Sequence, residues 1–293
     1  MSKLSPSLKA LVNAPFARPH PPKRTEERMR AVFTAIAADA AKHNVGFKPW
    51  VTLASATTFT HNIPEGLTIL QDVASTTPSA PLNPVQTAEL IREVGLKCIS
   101  FNGIPRSINL LNAFHDSLPA EITSRLETRP SRAPTPENIA EITARGRSLW
   151  DSVYRPFEDK LVDRLARSHP DLPVHILNSH YAPILSDPAP EARGNLAGTG
   201  RILTSLIALA CLRAQTGVGP QVLSHVFGLR KAIEDGTYKA EGQEEVVGAE
   251  WLAGDEGSEW ILRTVDSISE ALGPNDLAKG IREGWKEAEK AKL

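Results

Sequence analysis

The sequence predicts an all-α protein built from two related helical-hairpin units. Apolar residues recur every three or four positions through long segments, no run alternates apolar and polar residues between turn signals, and one hairpin-like pattern occurs twice.

The first helix is expected over Glu26–Lys42, where Met29, Val32, Phe33, Ile36 and Ala37 fall on one face and Thr25 stands at the capping position. A second is expected over Pro84–Ser100, with Val85, Ala88, Ile91, Val94, Cys98 and Ile99 at helical spacing. Asn83 caps it, and Pro84 occupies the first turn, where a missing N–H costs nothing. Pro130, Pro134 and Pro136 make the stretch 129–136 a linker. The amphipathic segment Pro136–Ser168 follows, carrying Ile139, Ile142, Leu149, Val153, Leu161 and Leu165 and expected to bend at Pro156. Pro188, Pro190, Gly194 and Gly198 mark a further linker over Ser186–Gly200. The organisation reads as a basic arm (1–24), a first helical half (25–128), the linker (129–136), a second helical half (137–280) and a terminal helix with its tail (281–293).

The repeat is read by laying residues 53–69 (LASATTFTHNIPEGLTI) over 209–225 (LACLRAQTGVGPQVLSH) without gaps. Leu53 and Leu209, Ala54 and Ala210, Thr60 and Thr216, Pro64 and Pro220, and Leu67 and Leu223 coincide. Each copy reads as a helix, a polar or glycine turn, and a proline opening the next helix. Residues 89–94 extend the match to 260–265, provided the second copy carries an extra loop between Glu234 and Gly257.

Whole-chain properties exclude several partners. With 293 residues and 41% hydrophobic composition the chain is long enough to bury a sizeable core. A formal net charge of -1 gives no footprint for nucleic acid. The longest apolar stretch, Ile202–Leu212, is interrupted by Thr204 and Ser205 and is too short to span a membrane. Cys98 and Cys211 are far apart in sequence, so neither a disulfide framework nor a zinc site is expected, and a reducing compartment fits. The first 24 residues hold bases and no acid, a weak likeness to a mitochondrial presequence that also reads as a mobile basic arm. The terminal Ala291-Lys292-Leu293 is a variant of the peroxisomal address, so the peroxisome and its import receptor are the expected destination and partner, ahead of mitochondrion or cytoplasm.

The stretch 201–217 (RILTSLIALACLRAQTG) followed by 219–232 (GPQVLSHVFGLRKA) resembles the core of carboxymuconolactone decarboxylases, an arginine-led apolar helix paired with a histidine on the next. Residues 93–109 (EVGLKCISFNGIPRSIN) resemble that family's closing segment, in which a helix stops at a glycine-apolar-proline step and restarts. The resemblance implies an AhpD-like helical fold, with the better match over 201–233, a homo-oligomer, and a small-molecule substrate handled without cofactor or metal. The peroxidase branch of the superfamily uses a Cys-x-x-Cys pair, in which one thiolate attacks and the other resolves. Phe101 stands where the second cysteine would follow Cys98, so dithiol peroxidase activity is not expected.

His225 is the foremost catalytic candidate: an imidazole titrates near neutrality, the related decarboxylases place a histidine here, and Ile69 fills the matching place of the first copy. It reads equally as a hydrogen-bonded core histidine. His180 and Tyr181, in the apolar segment Leu177–Leu185, are further proton-transfer candidates or ordinary packing residues. Arg201, Arg106 and Asn102 are the substrate-binding candidates. Arg201 is expected at the end of its hairpin far from His225, unable to pair with it directly, and reads alternatively as a surface or packing arginine. Cys98 is a weak redox candidate that reads better as a buried small hydrophobe. Glu93 and Lys97 are expected to form a surface ion pair. The functions left open are cofactor-free proton-transfer chemistry, a non-catalytic oligomeric scaffold, and redox action through a single cysteine.

Overall fold

A computed structural model describes residues 4–14, 26–77, 81–240, 242–273 and 275–290, and its regular elements are helices, with no strand among the described residues. The first half runs α1 (Pro6–Val12), α2 (Glu26–Lys42), α3 (Phe47–His61), α4 (Pro64–Thr76), α5 (Pro84–Lys97), α6 (Ile99–Asn102), α7 (Ile104–Ser117) and α8 (Ala120–Thr123). After the helix-free linker come α9 (Ile139–Tyr154), α10 (Glu158–Ser168), α11 (Asp171–His175), a π-helical segment (Ile176–Leu185) and α12 (Pro190–Arg193). The chain closes with α13 (Gly200–Gln215), α14 (Gly219–Glu234), a 3-10 turn (Thr237–Lys239), α15 (Ala249–Ala253), α16 (Asp255–Leu272) and α17 (Asn275–Lys290). The expected all-α class is the observed one. No helix among the described residues is long and apolar enough to cross a membrane.

Local chemistry sets the boundaries. The Asn83 side chain accepts from Val85 N and Gln86 N while the Gln86 side chain accepts from Asn83 N, so a complete capping box starts α5. The helix expected through Ser100 breaks at Cys98, and α6 then ends on Gly103 at φ 79°, a left-handed position that glycine occupies at little cost. Pro105 restarts the chain as α7. The expected bend at Pro156 is a full break between α9 and α10. Thr25 and the terminal tripeptide lie outside the described residues.

Two helices form the centre. α3 and α13 pack against each other, and both are buried around nearly their whole circumference. The buried hydroxyls of Ser55, Thr57, Thr58 and Thr60 in α3 donate to the carbonyls four residues earlier at 2.7–2.8 Å, whereas the buried Thr52 hydroxyl has no partner among the described residues. Each central helix opens a hairpin, α3–α4 across Asn62 and α13–α14 across Thr216–Val218. One apolar core takes residues from Met29 through Leu272, drawing on both sides of the 129–136 linker. A satellite core of Trp150, Tyr181 and Leu185 forms where α9 meets the π-helical segment.

Glu93 and Lys97 are not a surface pair. Both side chains are essentially inaccessible, at 2% and 0% exposure, because α5 is covered on that side by the linker and the loop after the π-helical segment. Lys97 Nζ donates to Leu185 O at 2.5 Å, Asp187 Oδ1 at 2.7 Å and Thr204 Oγ1 at 3.3 Å, and it lies 3.9 Å from Glu93. Glu93 in turn holds Arg132 at 2.5 Å, and Asp187 accepts from Thr199 N at 2.8 Å and Gly200 N at 2.7 Å. Burial raises the Asp187 pKa, but the Lys97 charge and these donors outweigh it and bring it down to about 2. This network ties α5, the linker and the start of α13 together.

Candidate functional site

At the seam between the main and satellite cores, α9, α13, α14 and the π-helical segment bring together Tyr154, Tyr181, His225 and Arg201. Close approach of α9 to the π-helical segment depends on Gly146, where a Cβ would lie 2.3 Å from the Ala182 Cα. Pro183 sits inside that segment and withholds an N–H from the usual helical ladder, which accommodates the wider π turn. Trp150, one turn before Tyr154, packs its ring 4.2 Å from the Tyr154 ring and 5.1 Å from Tyr181.

The hydroxyls form a chain. Tyr181 donates to Tyr154 at 3.2 Å, and the Tyr154 hydroxyl lies 3.5 Å from His225 Nε2. The His225 ring also meets Phe101 edge-on at 6.3 Å between centroids. Its other nitrogen, Nδ1, has no hydrogen-bond partner among the described residues. His225 is 7% exposed, and burial, reinforced by the Arg201 charge, lowers its pKa to about 4, so the ring is neutral at physiological pH. Burial raises the Tyr154 pKa, while the Tyr181 hydrogen bond and the Arg201 charge act in the opposite sense.

Arg201 is neither a surface arginine nor remote from this group. It is 4% exposed and has no carboxylate within ion-pairing distance among the described residues. Nε donates to Ser152 Oγ at 2.8 Å, one terminal nitrogen donates to Ser205 Oγ, and the other donates to Ser152 O at 3.2 Å and Gly228 O at 2.7 Å. The helical partner of Ser152 O would be residue 156, a proline without an N–H, so Arg201 supplies the missing donor. Burial brings the Arg201 pKa down to about 10. The expectation that Arg201 does not pair directly with His225 agrees with the bonds present. Its extended side chain nevertheless reaches Gly228, three residues along α14 from the histidine, and the two are electrostatically coupled.

Tyr154 lines a cavity of about 620 Å³ between α10 and α14, floored by Val153 and bordered by Phe157, Leu161 and Phe227. His225 stands behind Tyr154 rather than among the residues lining that cavity. Tyr154 thus lines the cavity while its hydroxyl bonds Tyr181 and faces His225.

The remaining candidates lie elsewhere. His180 is half-buried, its Nδ1 3.2 Å from Ser100 Oγ, and burial with the charge of His175 lowers its pKa. Asn102 Oδ1 accepts from Thr60 Oγ1 at 3.2 Å and Gln215 Nε2 at 3.0 Å, while its Nδ2 reaches Cys211 Sγ at 3.7 Å. Arg106 caps the end of α3 by donating to Thr60 O at 2.5 Å. The cysteines, remote in sequence, are neighbours in space: their sulfurs lie 3.5 Å apart and both residues are fully buried. Burial, then the hydrogen bond with Cys211, pushes the Cys98 thiol well above its ordinary pKa, so it carries no thiolate for attack. Asn102, Arg106 and Cys98 therefore form a structural junction of α3, α6, α7 and α13, apart from the tyrosine–histidine group.

Tyr154 is the residue that sequence reasoning passed over. Its signal is present: an aromatic four positions after Trp150 and two before the helix-breaking Pro156. Comparison with protein families, curated proteins and solved structures finds no match to this chain.

Proposed function

We propose that this chain is a cofactor-free enzyme of the carboxymuconolactone-decarboxylase-like class that transfers a proton at a small organic molecule held between α10 and α14. The observation that carries the reading is Tyr154, which lines the cavity while its hydroxyl joins Tyr181 and faces His225. Tyr154 is the general acid or base meeting the substrate. As its proton passes to the substrate, the Tyr181 hydroxyl and the Arg201 charge stabilise the phenolate, which takes a proton back from the substrate carbon, while neutral His225 orients the hydroxyl through Nε2. Arg201 disfavours imidazolium and favours phenolate, so the charge develops on the tyrosine. The family assignment draws on the hairpins α3–α4 and α13–α14, whose central helices pack together, and on the residues quoted above.

The test is incorporation of solvent deuterium into a panel of small organic acids, followed by mass spectrometry. Wild type should label at least one acid at a carbon bearing an acidic proton, Tyr154→Phe should lower the rate at least about a hundredfold, and His225→Gln should lower it less. A second reading, a binding or scaffold protein without chemistry, is favoured by the withdrawal of His225 behind Tyr154. Saturable binding with no exchange in any panel member, unchanged in Tyr154→Phe, would establish it instead.

A further inference from the structure

The geometry points to an amphipathic organic anion, an unbranched aliphatic carboxylate, as the molecule this cavity takes; the inference deepens the preceding reading and rests on the same site. Phe157, Lys160, Leu161 and Arg164 are spaced i, i+3, i+4 and i+7, so the end and first turns of α10 present them along one face, and all four line the cavity. From the other side α14 presents Phe227, also lining it. Phe157 and Phe227 are 63% and 57% exposed, large apolar side chains on the cavity wall.

The charge on this wall is unbalanced. Among the described residues, the basic side chains of Arg155 and Lys231 at the rim have carboxylate partners at 3.7 Å and 3.3 Å, whereas Lys160 and Arg164 have none within ion-pairing distance. Glu234, the one acid lining the cavity, lies outside that distance from both. A wall that alternates aromatic and aliphatic carbon with two uncompensated cations four residues apart complements a chain of methylenes ending in a carboxylate. An alkyl chain lies along Phe157, Leu161 and Phe227, its head meets Lys160 and Arg164, and its carbons pass Tyr154.

Titration calorimetry with the full chain tests this, using decanoate, decanol and acetate below micellar concentrations. Decanoate should bind saturably and more tightly than either the uncharged alcohol or the chainless anion. Lys160→Gln/Arg164→Gln, two exposed positions whose replacement leaves the fold measurable by circular dichroism, should weaken decanoate about fivefold to tenfold and leave decanol within about twofold. Phe227→Ala should weaken both about tenfold. No saturable decanoate binding, equal affinity for decanol and decanoate, or indifference to the double substitution would overturn the inference, as would binding to phosphatidylserine vesicles without binding to monomeric decanoate. Tyr154→Phe keeps the two readings apart: decanoate binding without Tyr154-dependent exchange retains the ligand and removes the enzyme, and Tyr154-dependent exchange on an acid that decanoate does not displace does the reverse.

Discussion

Two buried polar groups in this molecule differ in how their charges are answered. Around Lys97 every charge has an opposite: Asp187 and Glu93 flank the ammonium, and Arg132 completes the set. Around Arg201 there is one cation, four hydrogen bonds to neutral oxygens, and a neighbouring imidazole with an unpartnered nitrogen. Buried charge that is fully paired resists change, because removing one partner strands the others. Buried charge without a counter-ion is costly to hold and biases the protonation of whatever stands beside it, which is the property a proton-transfer site uses.

The largest expected effect comes from breaking the paired group. Lys97→Met leaves the buried Asp187 carboxylate without a cation, Glu93 keeping Arg132, and should cost about 3–5 kcal/mol of unfolding free energy by urea denaturation. A loss under about 1 kcal/mol would mean that the network contributes little and the contrast fails. Next is Gly146→Ala, whose methyl group collides with the Ala182 backbone and forces α9 away from the π-helical segment. A cost of about 2–3 kcal/mol is expected, together with loss of the Tyr181–Tyr154 hydrogen bond, visible as a change in tyrosine hydroxyl exchange by NMR. An unchanged Tyr154 environment would show that the close approach does not position the site.

Much of the fold was legible because it rests on local rules. The Asn83 cap, the α2 boundaries and the interruption at Pro156, expected only as a bend, follow from steric and hydrogen-bonding properties of single residues. Burial of polar residues was less readable. Glu93 and Lys97 at four-residue spacing look the same in sequence whether water or the 129–136 linker covers them, and only tertiary packing decides. The site was half visible: His225 and Tyr181 stood out by type, but Tyr154 joins them from a helix far from both in sequence. The Cys98–Cys211 approach has no local signature, since it depends on how α5 meets α13.

The two groups also titrate in different ranges. The folded-state pKa of His225 is about 4 against an ordinary 6.5, so the unfolded chain takes up a proton near pH 6.5 that the native ring refuses until about pH 4. Stability from this residue is present above pH 6.5 and lost as pH falls towards 4, by about 2 kcal/mol between pH 7 and 5. His225→Gln should flatten the urea-derived stability over that interval. Asp187, held at about 2, loses its contribution only below its ordinary 3.8. A decline that persists unchanged in His225→Gln would assign the titration to another group and remove the evidence that His225 is buried in its neutral form.

The smallest stability effect should come from Arg201, and it sharpens the contrast most. Arg201→Met leaves no carboxylate unpaired; it strands the Ser152 carbonyl, which Pro156 cannot serve, but relieves the burial of a lone cation. These opposing effects should leave a net cost of about 1 kcal/mol, well below that of Lys97→Met. Removing the guanidinium also withdraws a charge that disfavours imidazolium, so the His225 pKa, followed by NMR of its ring carbon, should rise from about 4 towards the ordinary histidine range. Burial is the larger cause of the depression and stays, so the rise should be partial. A stability loss equal to that of Lys97→Met, with no movement of the His225 titration, would show that Arg201 is a structural cation like Lys97 and that it does not tune the tyrosine–histidine pair.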